Sequence, residues 1–353
     1  MSAGHLCLLG DANSVHLRRW AAEMLARGWR VSVVTVRPQP IDGVEQHVLP
    51  PVQRSRDWLW RAGAARRAVR ALAPDLVHAH YVSSYGWLAA RCGRHPLVMT
   101  AWGSDVLVTP RNSRLMHALT GWTLRRADLV TGDSLDLVAE IDRYRPRRPA
   151  VQVHWGADLA RFTPAAWSAR APFDLVSLRS WEPNYRVDRI VAAVALLRPE
   201  VPVVLHLLGG GPLEAELRAQ VAALGLQDAV QFHGRVGDAA MVAVLQRCKA
   251  SVSVPVSDAT SVSVLESMAC GVPVVASDLP ANRQWLSTEP RLLVDGADEH
   301  AIAAALRLLW QDEALARRVA DAQLARMQAE GGRQAQMDRM DALYRELLAG
   351  AAR

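Results

Sequence analysis

The sequence predicts an α/β protein made of two doubly wound, Rossmann-like domains that face a cleft. Short apolar runs alternate with helical patterns along the whole chain, as expected for parallel sheets covered by helices on both faces. The alternation comes as two successive series, and a chain of 353 residues is long enough for two domains of ordinary size. In such folds ligands bind at the carboxyl ends of the strands.

Eleven apolar runs are predicted to be strands. The first series is 6–10, 31–36, 75–80, 96–101, 128–133 and 151–155, and the second is 173–179, 201–209, 230–234, 250–255 and 272–278. Helical patterns include 15–27, 213–225 and 262–271, and the chain after Asp298 is predicted to be helical to its end.

The predicted joint between the domains is 157–172, which is rich in prolines and small residues. We therefore expect one domain over residues 1–165 and a second over 166–330. The remaining segment, 331–353, is expected to form a helix that packs back on the first domain.

Composition indicates a globular protein, with 50% hydrophobic and 22% charged residues. No apolar run approaches the roughly 20 residues that span a bilayer. The N-terminal apolar stretch is too short for a signal peptide, and no basic residue precedes it. Four cysteines lie far apart with no CxxC pair, which predicts a reducing compartment without disulfides or a zinc site. The expected location is cytoplasmic.

The net charge of +6 points to anionic partners, and Lys249 is the only lysine. Any phosphate contact must therefore come from arginine or from the backbone, and arginine can bind phosphate bidentately. Arginine richness can equally reflect a biased genome. A nucleic-acid-binding role is an alternative, but the basic residues are scattered and no binding motif is present, so no nucleic acid is expected.

The most informative stretch is VPVSDATSVSVLESMACGVPVVASDLPANRQWL, at 254–286. It predicts a strand, a loop that holds Asp258, a helix that begins between 260 and 263, and a second strand after Gly271. Free N–H groups at a helix N-terminus bind diphosphates and sugar hydroxyls. The candidates at this terminus are Thr260, Ser261 and Val262. Glu266 lies further along the helix, where it can accept hydrogen bonds from ribose hydroxyls.

This stretch resembles the signature of GT-B glycosyltransferases of family 4. Members have two glutamates separated by seven residues, followed by a run similar to EAMACGxPVVAS. The resemblance implies that Glu266 holds the nucleotide ribose and that Asp258 replaces the glutamate that touches the donor sugar. Asp258 has a carboxylate arm shorter by one methylene, and Ala259 and Ser261 stand where the family has glycines.

Three further segments resemble the donor half of this family. In 177–197, Arg179 matches the family's arginine that binds the donor phosphates. The family also has a lysine in this segment that this chain lacks, and Arg186, beside Tyr185, is the candidate replacement for it. In HLLGGGPLEAEL, at 206–217, the resemblance places Gly209 and Gly211 near the nucleotide, although such glycines can also serve only tight turns. The segment 230–236, which contains Arg235, corresponds to the family's strand and turn near the nucleobase.

The first half resembles the family more loosely, and the resemblance implies that it holds the acceptor. Asn13 and His16 are expected to meet the acceptor or the donor diphosphate, while His80, Trp102 and Asp105 line the cleft floor. Many relatives have histidine at Trp102, but an indole cannot transfer a proton. His16, His80 and Asp105 remain as polar candidates, with a structural role as the alternative for each.

The resemblance implies a retaining hexosyltransferase that moves sugar from a nucleotide-sugar to a hydroxyl of a glycan, glycolipid or other cell-surface precursor. The candidate catalytic residues are Asp258, Arg179, Arg186 and His16. No DxD motif is present, so we expect no metal and no cofactor, with arginine and helix-terminal N–H groups neutralising the leaving group. A sugar-nucleotide epimerase of the same fold is the alternative.

The segment 54–73 predicts an amphipathic helix. Its apolar stripe contains Trp58, Ala62, Ala65, Val69 and Leu72, with the arginines largely off the stripe and Trp60 beside it. Such a helix can lie on the anionic inner face of a cell membrane. The alternative is a helix that covers the sheet and turns the stripe toward its own core.

Overall fold

The computed structural model describes residues 4–170 and 173–351. The chain divides into two compact units: the first contains the chain up to His154 and from Ala335 onward, and the second contains Trp155–Gln334. Residues 171–172 of the predicted joint lie outside the described residues.

The first unit contains a seven-stranded sheet in which every pairing is parallel. Its strands are β1 (His5–Leu9), β2 (Arg30–Thr35), β3 (Glu45–Val48), β4 (Leu76–His80), β5 (Leu97–Thr100), β6 (Leu129–Gly132) and β7 (Val151–Gln152). Its helices include α1 (Val15–Ala26), α2 (Asp57–Leu72), α3 (Trp87–Cys92), α4 (Ser104–Leu107), α5 (Arg114–Leu124) and α6 (Leu135–Arg143). The strand order is β3-β2-β1-β4-β5-β6-β7, so the direction of winding reverses between β1 and β4.

The second unit contains a six-stranded parallel sheet. Its strands are β8 (Asp174–Ser177), β9 (Val204–Leu208), β10 (Val230–Gly234), β11 (Ala250–Ser253), β12 (Val274–Ser277) and β13 (Leu293–Val294). Its helices are α7 (Val187–Leu197), α8 (Glu214–Ala223), α9 (Asp238–Arg247), α10 (Val262–Ala269), α11 (Pro280–Leu286), α12 (Glu299–Gln311) and α13 (Glu313–Glu330). The order β10-β9-β8-β11-β12-β13 reverses between β8 and β11.

These sheets confirm the prediction of two doubly wound α/β domains. All eleven predicted strands form, and most of them are buried along their length, which is why they appear in the sequence as apolar runs. Two strands were not predicted. β3 has the polar sequence EQHV and lies at the sheet edge, partly exposed, while β13 is only two residues long.

The last helix, α14 (Arg333–Ala351), is anchored to the first unit by a buried polar cluster. The Tyr344 hydroxyl accepts a hydrogen bond from Trp20 Nε1 at 3.0 Å and bonds His78 Nδ1 at 2.5 Å. On the opposite side of the ring, His78 Nε2 lies 2.7 Å from Thr100 Oγ1. The indole of Trp29 donates to Asp341 at 2.6 Å. Helix α14 thus completes hydrogen bonds that begin inside the sheet.

Helix α2 turns its apolar stripe toward the core of the first unit, since Ala65, Val69 and Leu72 are buried. At its N-terminal end, Leu59 and Trp60 remain exposed, Trp60 to 76%. Among the described residues, no helix is both long and apolar enough to cross a membrane.

We expect Tyr344→Phe to destabilise the first unit, because Trp20 and His78 would each lose a buried hydrogen-bond partner. The free energy of unfolding should fall by about 1–3 kcal/mol, measured by urea unfolding with tryptophan fluorescence. Tyr144→Phe is the control, because it removes a similar bond to His117 in a less enclosed position and should cost less. Equal losses of stability in the two variants would show that the buried cluster contributes no more than the less enclosed hydrogen bond of Tyr144.

Candidate functional site

In the second unit, the reversal of strand order brings Arg179 and Asp258 together. Arg179 follows β8 and Asp258 follows β11, and these two strands are neighbours in the sheet. Arg179 Nη2 lies 2.8 Å from Asp258 Oδ2. Ligands of doubly wound sheets bind at this kind of position, outside the carboxyl ends of the strands where the winding reverses.

The guanidinium of Arg179 is held on several sides. Besides Asp258, it donates to the hydroxyls of Ser261 and Ser263, the latter at 3.1 Å. Its Cζ lies 4.2 Å from the ring centroid of Tyr185, a cation–π contact. Only 8% of Arg179 is exposed. The arginine is therefore fixed before any ligand binds, with its charge at the N-terminus of α10.

Asp258 has a pKa raised above the ordinary aspartate value. Burial is the main cause, and it is opposed by the positive charge of Arg179 and by the hydrogen bond from that guanidinium. The backbone N–H of Ala259 also donates to Asp258 Oδ1 at 3.2 Å. An anionic ligand at this site would compete with Asp258 for Arg179, so the carboxylate and the ligand are electrostatically coupled.

Helix α10 supplies the other donor-site candidates. Thr260 and Ser261 are buried just before the helix, Ser261 is its N-cap residue, and Val262 is its first residue. The first N–H groups of a helix have no partner within the helix and can bind oxygen ligands. Glu266 is buried one turn after Val262, on the same helical face. These four residues thus lie on one short segment, and the start of that segment contacts Arg179.

Gly209 and Gly211 pack against the backbone that carries Arg179. A Cβ atom at Gly209 would clash with the carbonyl oxygen of Arg179, and one at Gly211 would clash with that of Trp181. The N–H of Trp181 donates to the carbonyl of Gly210 at 3.2 Å. These glycines therefore allow two loops to lie in contact.

Arg235 and Arg186 lie at the periphery of this arrangement. A Cβ atom at Gly210 would lie 3.2 Å from Arg235 Nε, so the Arg235 side chain passes over the glycine-rich loop. Arg186 is the N-cap residue of α7, with φ of 49°, and it lines a separate cavity of about 440 Å³ with residues of α8. Within the described chain its guanidinium has no ion-pair or hydrogen-bond contact with Arg179 or Asp258.

Asn184 is a positioning residue that sequence reasoning missed. Its side-chain amide donates to the carbonyl of Ser257 at 3.0 Å and accepts from the N–H of Ser257 at 3.2 Å. Its own carbonyl accepts from the N–H of Val256 at 2.7 Å. Asn184 therefore clamps the loop that presents Asp258. No spacing in the segment EPNYR points to this contact.

In the first unit, His16, Trp102 and His80 form a stack next to the reversal between β1 and β4. The Trp102 ring centroid lies 5.1 Å from that of His16 and 5.6 Å from that of His80. Burial lowers the pKa of His16 to about 4 and that of His80 to about 3, with nearby Arg19 and His16 as the respective second causes. Both imidazoles are therefore neutral at pH 7.

Asp105 and Asn13 have local structural contacts. Asp105 is buried and accepts hydrogen bonds from the backbone N–H groups of Val82 at 2.7 Å and Trp102 at 3.0 Å. Burial raises the pKa of Asp105 to about 6, and these backbone bonds oppose the rise. Asp105 thus holds the turn that presents Trp102. Asn13 is exposed, and its N–H donates to the Asp11 carboxylate at 2.9 Å.

Among the described residues, no group of three or more His, Cys, Asp or Glu side chains is arranged to hold a metal ion.

Comparison with known families gives matches in both units. Residues 5–134 match the family described as Glycosyl transferase 4-like, and residues 168–325 match Glycosyl transferases group 1. The chain is 31% identical to a D-inositol 3-phosphate glycosyltransferase of Salinispora arenicola over 330 residues, 81% of this chain and 71% of that protein. A D-rhamnosyltransferase of Pseudomonas aeruginosa is 40% identical over 121 residues, 33% of this chain. The chain spans 31% of the length of that rhamnosyltransferase. It spans 66% of the length of the D-inositol 3-phosphate glycosyltransferase of Salinispora tropica.

Solved structures that resemble nearly the whole chain include the following two. Sucrose-phosphate synthase of Thermosynechococcus elongatus has a TM-score of 0.82 at 20% identity and covers 98% of this chain and 99% of its own. HepE of Anabaena, solved in complex with UDP-glucose, has a TM-score of 0.78 at 16% identity and covers 97% and 99%. At these identities the likeness establishes a shared fold.

We expect the stability of the first unit to depend on pH through His80. The pKa of His80 in the folded protein lies below its value near 6.5 in the unfolded chain. The stability that neutral, buried His80 contributes is therefore fully present above pH 6.5 and is lost as the pH falls toward the folded pKa. His80→Phe should make stability less dependent on pH between about 4 and 6.5, by up to about 1.4 kcal/mol per pH unit. Urea unfolding across this range measures it. His47→Phe, on the edge strand β3, is the control, and identical pH profiles for wild type and His80→Phe would contradict the expectation.

Proposed function

Because the chain belongs to the group 1 glycosyltransferases of GT-B fold, we propose that it is a retaining glycosyltransferase that uses a nucleotide-sugar donor. The observation that carries the proposal is the pair formed by buried Arg179 and partly buried Asp258 at the N-terminus of α10, with Glu266 one turn further along the helix. This arrangement offers a cation for a diphosphate, a carboxylate for a sugar and a second carboxylate for a ribose.

Each donor-site residue receives a role from its chemistry. Arg179 and the N–H groups at Thr260, Ser261 and Val262 would stabilise the negative charge that develops on the leaving diphosphate. Asp258 would orient the transferred sugar through its hydroxyls, and Glu266 would accept hydrogen bonds from the ribose. Arg186 receives no role in this proposal, because it lines a separate cavity with α8.

In the proposed transfer, the bond between the anomeric carbon and the diphosphate oxygen breaks as the acceptor oxygen attacks the same face of the sugar. The acceptor hydroxyl gives its proton to the departing phosphate oxygen. This route needs neither a protein base nor a metal ion, since arginine and the helix terminus stabilise the leaving group. His16 remains a candidate for contacting the acceptor as a neutral imidazole, given its lowered pKa.

For the substrates, we propose a hexose donor and a hydroxyl acceptor on a glycan, glycolipid or other cell-surface precursor. The UDP-glucose complex of HepE supports a uridine nucleotide as the first donor to try. The relatives that act on inositol phosphate support a hydroxyl acceptor. A sugar-nucleotide epimerase is the second candidate, and it would act on the donor alone.

A thermal-shift screen of nucleotide-sugars followed by transfer assays tests this function. A donor at 100 times its dissociation constant should stabilise the protein by about 2.7 kcal/mol. Transfer with retention of the anomeric configuration should then continue in EDTA. Failure of every nucleotide and nucleotide-sugar to raise the melting temperature would refute the proposal, and epimerised donor without acceptor would establish the alternative.

We also propose a peripheral association with the inner face of the cell membrane. Exposed Leu59 and Trp60 lie at the end of α2 beside exposed arginines, which suits an anionic interface. Trp60→Ser should reduce co-sedimentation with phosphatidylglycerol vesicles at low salt, whereas Leu224→Ser, at an exposed site in the second unit, should not. Equal recovery of the wild type in the supernatant with and without vesicles would exclude the association.

Glu266→Ala should weaken nucleoside diphosphate binding by about 1.5–3 kcal/mol, because a charged hydrogen-bond partner is lost. Calorimetry with UDP, or with whichever diphosphate binds the wild type best, measures the change. Glu216→Ala, on the exposed face of α8, is the matched control. The melting temperature without ligand checks that the fold is kept, and unchanged affinity in a folded Glu266→Ala variant would show that this residue does not hold the nucleotide.

Asp258→Asn should depress turnover without weakening nucleoside diphosphate binding, because the carboxylate charge that competes with the diphosphate for Arg179 is removed. The amide can still accept a hydrogen bond from Arg179, but the charged contact to the sugar is lost. Asp278→Asn is the control, because Asp278 also pairs with an arginine, Arg283, at an exposed position. Normal turnover by the Asp258→Asn enzyme would place the transferred sugar elsewhere.

A further inference from the structure

The first unit contains a second concave feature, a cavity of about 520 Å³ at the C-terminal ends of α2, α3 and α5. Its walls are unusually basic. The arginines that line it are Arg66, Arg70, Arg91, Arg94 and Arg126. The remaining lining residues are small, apolar or aromatic, and none is acidic.

These five arginines, which we call the arginine cluster, have no carboxylate partner within the described parts of the chain. Arg94 donates to the carbonyl of Pro74 through Nε at 2.9 Å and Nη2 at 2.6 Å. Arg126 lies over the ring of Trp122 at 4.6 Å, and Arg91 lies over Trp87 at 5.7 Å. Stacking on an indole leaves the N–H edge of a guanidinium available for an anion.

The negative ends of the helices offset part of the positive charge of the arginine cluster, but not all of it. A helix C-terminus carries about half a negative charge, so the three converging ends supply about 1.5 negative charges against five positive ones. The remaining positive charges repel one another across the cavity. A multiply charged anion would relieve that repulsion.

The cavity lies at the opposite edge of the sheet from the candidate acceptor residues. Helices α2, α3 and α5 lead into the amino ends of β4, β5 and β6, whereas His80 and Trp102 lie at the carboxyl ends of β4 and β5. Strands of four or five residues separate these edges by about 15 Å. The arginine cluster is therefore distinct from the stack of His16, Trp102 and His80.

We propose that this cavity is a binding site for a phosphate-bearing anion with at least two negative charges, such as a diphosphate or a phosphomonoester. Arginine presents paired N–H donors that match phosphate oxygens bidentately. Val69, Ala90 and Trp122 add an apolar wall for the group that carries the phosphate. The headgroup of an anionic lipid and a soluble phosphate compound share this chemistry.

Arginine footprinting distinguishes these sources. The full-length protein is treated with p-hydroxyphenylglyoxal, alone, with pyrophosphate, or with phosphatidylcholine vesicles containing phosphatidic acid, and modified sites are read by mass spectrometry. Modification of Arg66, Arg91 and Arg126 should slow about tenfold at roughly ten times the dissociation constant. Exposed arginines outside the cavity and away from Trp60, namely Arg114, Arg145 and Arg339, should react at unchanged rates. Protection by pyrophosphate indicates a soluble ligand, and protection by vesicles alone indicates a lipid headgroup.

Matched triple variants complete the test. Arg66→Gln, Arg91→Gln and Arg126→Gln together should abolish protection of Arg70 and Arg94. Arg114→Gln, Arg145→Gln and Arg339→Gln together, with the same change in charge, should leave that protection intact. Nucleoside diphosphate affinity should be the same in both, because Arg179 and Glu266 lie in the second unit. Protection of Arg70 that persists in the cavity variant, or equal protection inside and outside the cavity in the wild type, would overturn the proposal.

Discussion

The burial of the Arg179 guanidinium is the constraint on which the candidate donor site depends. A cation removed from water needs charged or polar partners on several sides. Here they come from two segments: Asp258, Ser261 and Ser263 from the connection that leads from β11 into α10, and the ring of Tyr185 from the connection between β8 and α7. Satisfying one side chain therefore fixes the relative positions of these two connections, and Asn184 adds hydrogen bonds between them.

The two units differ in the charge of the side chains at their reversals of strand order. The second unit keeps an arginine and a carboxylate in direct contact at its reversal of strand order. The first unit places neutral imidazoles and an indole at the equivalent reversal, and burial holds the pKa values of His16 and His80 well below neutrality. A neutral aromatic surface suits the flat, apolar faces of sugar rings, whereas an anchored cation suits phosphate.

The fold was readable from the sequence because buried parallel strands leave continuous apolar runs, while β3 escaped prediction because an edge strand can be polar. At the candidate site, Arg179, Asp258 and Glu266 were predicted from the resemblance to GT-B glycosyltransferases of family 4, and the structure places Arg179 against Asp258. Asn184 was not, since its role rests on backbone contacts that leave no pattern. Tyr185 lies against Arg179, whereas Arg186, the N-cap residue of α7, lines a separate cavity.

The position of helix α14 at the end of the described chain determines when the first unit can be completed during synthesis. The first unit begins near the start of the described chain, yet Tyr344, which bonds Trp20 and His78 in its core, belongs to a helix that follows the whole of the second unit. On the ribosome, the second unit therefore emerges complete while the first still has an open, largely apolar cleft where Met337, Met340, Tyr344 and Leu347 of α14 will dock. Nascent chains of this protein would expose that cleft to chaperones until translation has passed the second unit entirely.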